Sequence, residues 1–329
     1  MTDEQRTSPG QPSEHPDQHV LARIARGARI GAVQPLRWYL RRAPHRRGRY
    51  RLMQWGRAVL GSEPVHATSV DGRRFVLKFP QDGGWECLYF IGDFETGTTR
   101  LLRQILQPSD VVLDVGANIG WFTTLAAALC THGHCHAFEP APGVFQELKL
   151  NCFLNGAERN VTLNNLALGD HTGDGWLYSF RDRPPVYNSM SPRAGPEGTG
   201  VECSVTTIDD YVDRNRLELV HLVKVDVEGA ELQVLSGADS LISNPSAPMW
   251  LVEVNKRTSQ AFGYEPEAIF ARLQDRDEYR FLRVLGGWGA VVPMQAPAEC
   301  EHADNVLCVP RAHWGRISRL QGLGADKRT

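Results

Sequence analysis

From residue 111 onward, short apolar runs alternate with longer segments in which apolar residues recur every three or four positions. Val111-Val112-Leu113-Asp114-Val115 has a single polar member, the pattern of a strand covered on both faces. Residues 119–130, rich in Ala and Leu, read as a helix. Residues 134–138 read as a second strand, and 142–155 as a second helix with Val144, Phe145, Leu148 and Phe153 apolar. A third strand is expected at 160–163. The alternation resumes with 221–226 (strand), 231–243 (helix) and 249–255 (strand), then a helix at 268–275 and closing strands at 279–285, 290–293 and 305–309. Strands alternating with helices predict an α/β fold built on a doubly wound, mainly parallel sheet. Ahead of it, 66–79 reads as a hairpin turning at Asp71-Gly72, and 95–107 as a helix that stops before Pro108. Strand-like flanks enclose a Pro- and Gly-rich loop at 181–200. Its length suits a lid or binding loop, and its Tyr187 and Asn188 are candidate acceptor contacts.

Charge divides the chain in a way the periodicity does not. Over 329 residues the formal net charge is −2, with 42% apolar and 22% charged residues, an ordinary globular balance. Yet residues 20–57 hold eleven Arg and no Asp or Glu, leaving 24 basic and 34 acidic residues in 58–329, a net of −10. The organisation expected is a disordered polar tail (1–19), a basic Arg-rich arm (20–60), a lead-in hairpin and helix (61–110), a catalytic domain (111–313) and a C-terminal tail (314–329). The arm reads as one or two short helices, interrupted at Pro35 and Pro44. No run is long and apolar enough to span a membrane. The polar start has no apolar core segment of the kind a secretory signal needs, so a cytoplasmic location is expected. Seven scattered Cys with no C-x-x-C pair read as reduced thiols.

The strongest chemical signal is Asp114-Val115-Gly116-Ala117-Asn118-Ile119-Gly120, where the first strand passes into its helix. Glycines there let the backbone approach a ligand, and the helix start offers free N–H donors. The spacing Gly116-x-x-x-Gly120 with a carboxylate at 114 differs from the G-x-G-x-x-G of dinucleotide sites. A carboxylate beside the turn disfavours pyrophosphate and favours a cationic ligand such as S-adenosylmethionine. Glu139 closes the second strand 23 residues after Gly116, where it can accept both hydroxyls of a ribose. Phe138, or the residues after Glu139 beginning with Pro140, can cover an adenine, and Asn164 and Asn165 follow the third strand, where they can read the adenine edge.

With these residues in place, the sequence resembles a known family. Val112 to Thr123, Phe138-Glu139-Pro140, and Lys224-Val225-Asp226-Val227-Glu228-Gly229-Ala230-Glu231 with Leu235 and Gly237 look like an FkbM-type methyltransferase. The Asp-x-Glu-Gly-Ala-Glu run discriminates best, since many methyltransferases share the first motif. Gly92-Asp93-Phe94-Glu95 resembles the family's lead-in, with Phe where Tyr is common, and so places Glu95 beside the cofactor. The resemblance covers about 90–310 and omits the arm. It implies a class I Rossmann-like fold with a seven-stranded sheet, an S-adenosylmethionine cofactor held by Glu95, Asp114, Gly116, Ala117, Asn118, Gly120, Glu139, Pro140, Asn165 and Asp226, and methylation of a sugar, glycoside or secondary-metabolite oxygen.

A hydroxyl acceptor must be aligned and deprotonated. Ligands of open α/β sheets sit beyond the carboxyl ends of the strands, so Asp226 is the leading base or hydroxyl orienter and Glu228 the second. The plain alternative for Asp226 is a carboxylate capping the following helix. Glu253 and Asn255 end the next strand and can line the acceptor pocket. Asp226 with either of them could hold Mg²⁺, although the spacing demands no metal. Cys130, His132, His134, Cys135 and His136 crowd one segment, but on the opposite edge of the sheet and without a second cluster to complete a zinc site. The arm has the charge for phosphate contacts, yet no RNA-binding motif accompanies it. A small-molecule acceptor is therefore the expected partner. An RNA or protein methyltransferase guided by the arm, a non-catalytic cofactor-binding partner, and a homo-oligomer are the alternatives.

Overall fold

The computed structural model describes residues 16–42, 48–79, 85–180, 198–275, 278–286, 289–294, 303–318 and 320. A hairpin of β1 (Val65–Thr68) and β2 (Arg74–Leu77) precedes the main sheet and turns at Asp71-Gly72, as its sequence predicts. The chain continues through β3 (Val111–Val115), β4 (His134–Phe138) and β5 (Val161–Asn164). Then come β6 (Ala167–Leu168), β7 (Gly173–Phe180) and β8 (Gly198–Thr206), and after them β9 (Leu222–Val225), β10 (Met249–Val254), β11 (Tyr279–Val284), β12 (Val291–Pro293) and β13 (Asp304–Pro310). The main sheet has the order β12-β11-β13-β10-β9-β3-β4-β5. β10, β9, β3, β4 and β5 are parallel, while β13, β11 and β12 add antiparallel pairs at one side. The sheet thus has eight strands, one more than the resemblance implied. All eight candidate segments enter it, and the extra member is β12, three residues zipped onto the end of β11. β6, β8 and β7 form a separate three-stranded sheet whose long hairpin carries the 181–200 loop. Tyr187 and Asn188 lie outside the described residues.

Successive residues of the strands enter opposite cores, which is why their sequences are apolar throughout. Val112, Leu222, Leu251 and Leu307 join one core, while Leu113, Val223, Val252 and Val306 join the other. Helices cover both faces, as a doubly wound sheet requires. The first core takes α4 (Thr96–Ile105) and α5 (Trp121–Leu129), and the second takes α7 (Ile208–Asn215) and α8 (Glu231–Ser236). The helix expected over 231–243 breaks at Gly237, whose carbonyl accepts the Asp209 N–H (3.0 Å) and not a bond from a further turn; a short helix resumes at Asp239–Ile242. The strand order reverses at β3, with β4 on one side and β9 on the other. The crevice above that switch point is where ligands of such sheets bind.

The N-terminal arm departs from its sequence expectation. A helix at Pro16–Arg42 runs straight through Pro35 and begins inside the stretch expected to be a tail, and a second helix occupies Arg49–Leu60. Proline removes one donor and crowds the carbonyl four residues back. That residue is Gly31, and next to the gap the Gln34 amide donates to the Ile30 carbonyl at 3.1 Å. Packing settles the matter: Val33, Leu40, Met53 and Leu60 are buried in the first core, and both helices pack against a third at Trp85–Phe90. The last described segment is also ordered. Residues 314–317 are helical, and Arg316 forks both oxygens of the fully buried Asp110 at 2.7 and 2.8 Å. No helix among the described residues is long and apolar enough to cross a membrane. Cys87, Cys130, Cys135, Cys152, Cys203 and Cys308 are free thiols, all but Cys87 buried. Cys135 faces the first core, while His136 on the opposite face bonds the Tyr211 hydroxyl at 2.9 Å and His134 bonds Thr162 at 2.8 Å, so this segment is an interior strand whose polar side chains are engaged in hydrogen bonds.

Candidate functional site

Beyond the ends of β3, β4 and β9 lies a cleft in two adjoining halves, divided by the turn after β3. Gly116 sits at φ +82°, and a Cβ there would fall 1.8 Å from the carbonyl oxygen of Asp226. Only glycine lets the β3 turn lie against the β9 turn. The amides of Gly116 and Ala117 both donate to the Phe138 carbonyl (3.0 and 2.9 Å), and the Asp226 amide donates to Val115 (3.0 Å). Three strand ends are therefore stitched together around one turn.

The first half is mostly apolar, an open cavity of about 600 Å³ walled by Val115, Phe138, Pro140, Val144, Leu166 and Leu177, with Glu139 its buried acid. Glu139 Oε2 accepts the Asn118 amide at 3.0 Å and Oε1 the Ala141 amide at 2.9 Å. Burial pushes its pKa up to about 7, against the pull of those two amides. Each carboxylate oxygen keeps lone-pair capacity for a further donor. Asn165 lies behind this wall: its amide donates to the carbonyls of Glu139 (2.8 Å) and Pro140 (3.1 Å), so it shapes the turn and does not line the cavity. Asn164 likewise donates to Ala137 (3.1 Å) and accepts from Tyr211 (3.3 Å).

The second half, about 690 Å³, is lined by Trp85, Phe94, Trp121 and Phe122 around Glu95, Lys224, Asp226, Glu228 and Glu253. Lys224 is almost fully buried. Its ammonium donates to Asp226 Oδ2 at 2.9 Å and lies 4.6 Å from the centre of the Phe122 ring. Burial opposes its charge, but the carboxylates of Asp226, Glu95 and Asp114 outweigh that and hold it protonated. Asp226, Glu228 and Glu253 bring carboxylate oxygens within 4.8 Å of one another, the one such cluster among the described residues. Asp226, then burial, then Glu228 push the Glu253 pKa well up, so the cluster retains a proton. Glu95 reaches in from ahead of α4; Asn305 on β13 donates to its Oε2 at 3.0 Å, and burial raises its pKa against the pull of Lys224. Metal ligation would use Asp226, Glu228 and Glu253. Asn255 instead caps the next helix by accepting the Arg257 amide at 3.1 Å.

Two further sequence-predicted residues support the site from below. Asp114 is buried, accepts the Thr123 hydroxyl at 2.6 Å and lines neither half; its Oδ1 has no hydrogen-bond partner among the described residues. Gly120 starts α5 and packs against Leu148. The helix-capping alternative for Asp226 does not hold, since its carboxylate pairs with Lys224. Glu231 does that local work: it is buried, and its Oε1 accepts the amides of Gly229 (3.0 Å) and Val227 (3.3 Å) while the Tyr264 hydroxyl lies 3.0 Å from Oε2. The Asp-x-Glu-Gly-Ala-Glu run is thus a loop that turns Asp226 and Glu228 to the cleft and a buried acid that clamps it.

Backbone strain marks the same place. Four non-glycine residues among those described have positive φ. Three of them, Glu95 (41°), Asn118 (50°) and Glu228 (53°), line the cleft. Such conformations cost about 1–3 kcal/mol each and persist where the surroundings over-determine them. Sequence reading missed Lys224, which inside an apolar strand looks like a sheet residue; the signal was a lone lysine two positions before Asp226.

The family model of the methyltransferase FkbM domain matches residues 114–281, just over half the chain and all of the strand ends described above except the lead-in. The hexuronic acid methyltransferase AglP of Haloferax volcanii is 33% identical over 152 residues, covering 46% of this chain and 59% of its own length. The 31-O-demethyl-FK506 methyltransferase FkbM of Streptomyces tacrolimicus is 29% identical over 161 residues, 41% of this chain and 61% of its own. The match spans about three fifths of the length of each relative. A solved O-methyltransferase from Bacillus cereus in complex with SAH covers 84% of this chain and 96% of its own at 11% identity, with a TM-score of 0.39.

Proposed function

Because the chain belongs to the FkbM methyltransferase family, we propose that it is an S-adenosylmethionine-dependent methyltransferase acting on a hydroxyl oxygen of a sugar, glycoside or secondary metabolite. The observation that carries the reading is the divided cleft, with an apolar half ending in the buried acid Glu139 and a half holding four carboxylates around one buried lysine. The residues fit the cofactor. The Gly116 turn brings the ends of the third and ninth strands together beside both halves, the apolar walls suit a flat base, Glu139 suits a pair of ribose hydroxyls, and the excess of negative charge suits a sulfonium and an ammonium.

When bound, the cofactor supplies a methyl group already activated on a cationic sulfur. The chain has to place the acceptor oxygen in line with it and take the acceptor's proton. Asp226, three quarters buried and held in place by Lys224, receives the hydroxyl proton. Glu253, kept protonated by its neighbours, is a hydrogen-bond donor that orients the acceptor oxygen. Glu228, turned inward by its left-handed backbone, contacts the acceptor from the same acidic cluster. Trp85, Phe94 and Trp121 exclude water and offer faces on which a sugar ring packs. The hexuronic acid named for one relative and the FK506 derivative named for another both fit this acceptor class.

The test is transfer of labelled methyl from S-adenosylmethionine by the full chain to a panel of neutral, amino and uronic glycosides and hydroxylated macrolides. The expected product is an ether that survives mild base. Calorimetric failure to bind S-adenosylhomocysteine would sink the cofactor assignment. Label found only on nitrogen, carbon or RNA would sink the acceptor assignment.

A further inference from the structure

The two N-terminal helices bury one face and leave the other exposed among the described residues. Their inner residues, Val33, Leu40, Met53 and Leu60, lie in the first core. On the outer face Trp38 is 60% exposed, Tyr50 64% and Trp55 58%, with Tyr39 and Leu52 also exposed. These residues gather at one end of the pair, the last turns of the first helix and the first turns of the second. Arg42 and Arg51 are exposed among them, and the Arg42 guanidinium lies 4.8 Å from the centre of the Trp38 ring. Residues 20–57 contain no acid at all, while 58–329 carry a net of −10. The arm packs on the body through apolar side chains and through arginine hydrogen bonds such as Arg26 to the Pro64 carbonyl and Arg41 to the Thr68 carbonyl, while Arg42 and Arg51 stay exposed.

We propose that this end of the helical pair docks on an anionic lipid bilayer. Tryptophan and tyrosine are the residues that settle at a membrane interface, with an apolar ring and a polar edge. Arginine beside them meets lipid phosphates, each cation adding about fivefold to partitioning on an anionic surface. Amphipathic helices lying in the interface use this composition, a polybasic surface with aromatic anchors. Single-stranded RNA also stacks on aromatic rings, but it needs a groove that follows its backbone, and neither half of the cleft extends to this face. Leu52 on this face, and Val70 on the neighbouring hairpin turn at 71% exposed, fit acyl chains and add nothing to base stacking. The surface is also coupled to the cleft. Gln54 of the second helix donates to Glu86 at 2.6 Å, and Trp85, the next residue back, lines the acidic half.

The experiment is co-sedimentation of the full chain with vesicles of phosphatidylcholine alone or of equal parts phosphatidylcholine and phosphatidylglycerol. Partition onto the anionic vesicles is expected to exceed that onto neutral ones by about tenfold or more and to fall in high salt. The double variant Arg42→Glu/Arg51→Glu should weaken it by about 25-fold or more, and, separately, Trp38→Ser/Trp55→Ser by about tenfold or more. Unchanged S-adenosylhomocysteine binding by both confirms that they fold. Three outcomes overturn the proposal: no preference for anionic vesicles, undiminished partition in both double variants, or a lipid-free complex with RNA or with a second copy of this chain that the same variants abolish and that forms at lower concentration.

Discussion

The two halves of the cleft share a wall and little else. Phe138, Pro140, Leu166 and Leu177 make one half a dry slot whose own acid is Glu139, whereas Glu95 and Glu253 join Asp226 and Glu228, which border both halves, around Lys224 in the other. In the dry half the acid is satisfied by backbone amides and ready to accept more donors. In the charged half the acids perturb one another, and one of them stays protonated. Recognition of a fixed ligand and handling of a moving proton call for these different surroundings, because the first needs saturated geometry and the second needs groups whose protonation is poised. The turn at Gly116 joins the two and belongs to both.

If that division is right, Gly116→Val has the largest effect, since its side chain meets the Asp226 backbone and disturbs both halves at once. Affinity for S-adenosylhomocysteine should fall by about a thousandfold, in line with forcing a Cβ into a closed backbone contact. Near-normal binding in calorimetry would show the turn is not the hinge between the halves. Asp226→Asn comes next. Turnover should drop about 10²–10⁴-fold, the usual worth of a placed base, with cofactor affinity unchanged. A parallel fall in affinity would mean the halves do not separate. Glu139→Gln should do the converse, weakening cofactor binding about 10–100-fold, the range for hydrogen bonds to a charged group, while turnover at saturating cofactor persists.

Acidity probes the same contrast more gently. Ribose hydroxyls donate best to an ionised Glu139, so cofactor affinity should fall below pH about 7, by up to tenfold per unit. The slope should vanish in Glu139→Gln; a slope that survives there belongs to another group. For the free protein the sign is opposite. A carboxyl whose folded pKa is raised stabilises the fold while protonated and loses that contribution as pH climbs from the ordinary carboxylate range toward 7. The mildest test is Asn305→Ala, which removes the 3.0 Å donor to Glu95. About five- to tenfold lower turnover is expected, with the dry half untouched.

Much of this is legible in the sequence. Strands 111–115 and 134–138 were placed to the residue because period and apolarity agreed, and Gly116 and Glu139 followed from spacing. What spacing cannot convey is the direction a side chain takes once its strand has ended. Glu253 still lies within the pleat of β10 and reaches the cleft, while Asn255, two residues on, has left it and caps a helix. Asp114 and Asn165 stand at the right strand ends but turn beneath the loops. Glu95, Asn118 and Glu228 owe their positions to left-handed backbone that no side-chain pattern announces. The continuous helix through Pro35 was hidden because proline predicts a break, and tertiary burial of Val33 and Leu40 overrides it.

The hydrogen bond between Asn305 and Glu95 joins residues 210 positions apart. The dry half closes once residues 115–228 have met, but the charged half also draws on Glu95, Glu253 and a strand near the C-terminus. On the ribosome, where the N-terminal part of a domain emerges first, a chain that has grown past residue 228 holds every wall of the dry half. It lacks Asn305, and with it the support of Glu95, until β13 arrives and slots between β10 and β11. Contacts of such long sequence separation form late, so the order of synthesis brings the ligand-holding half together ahead of the proton-handling one.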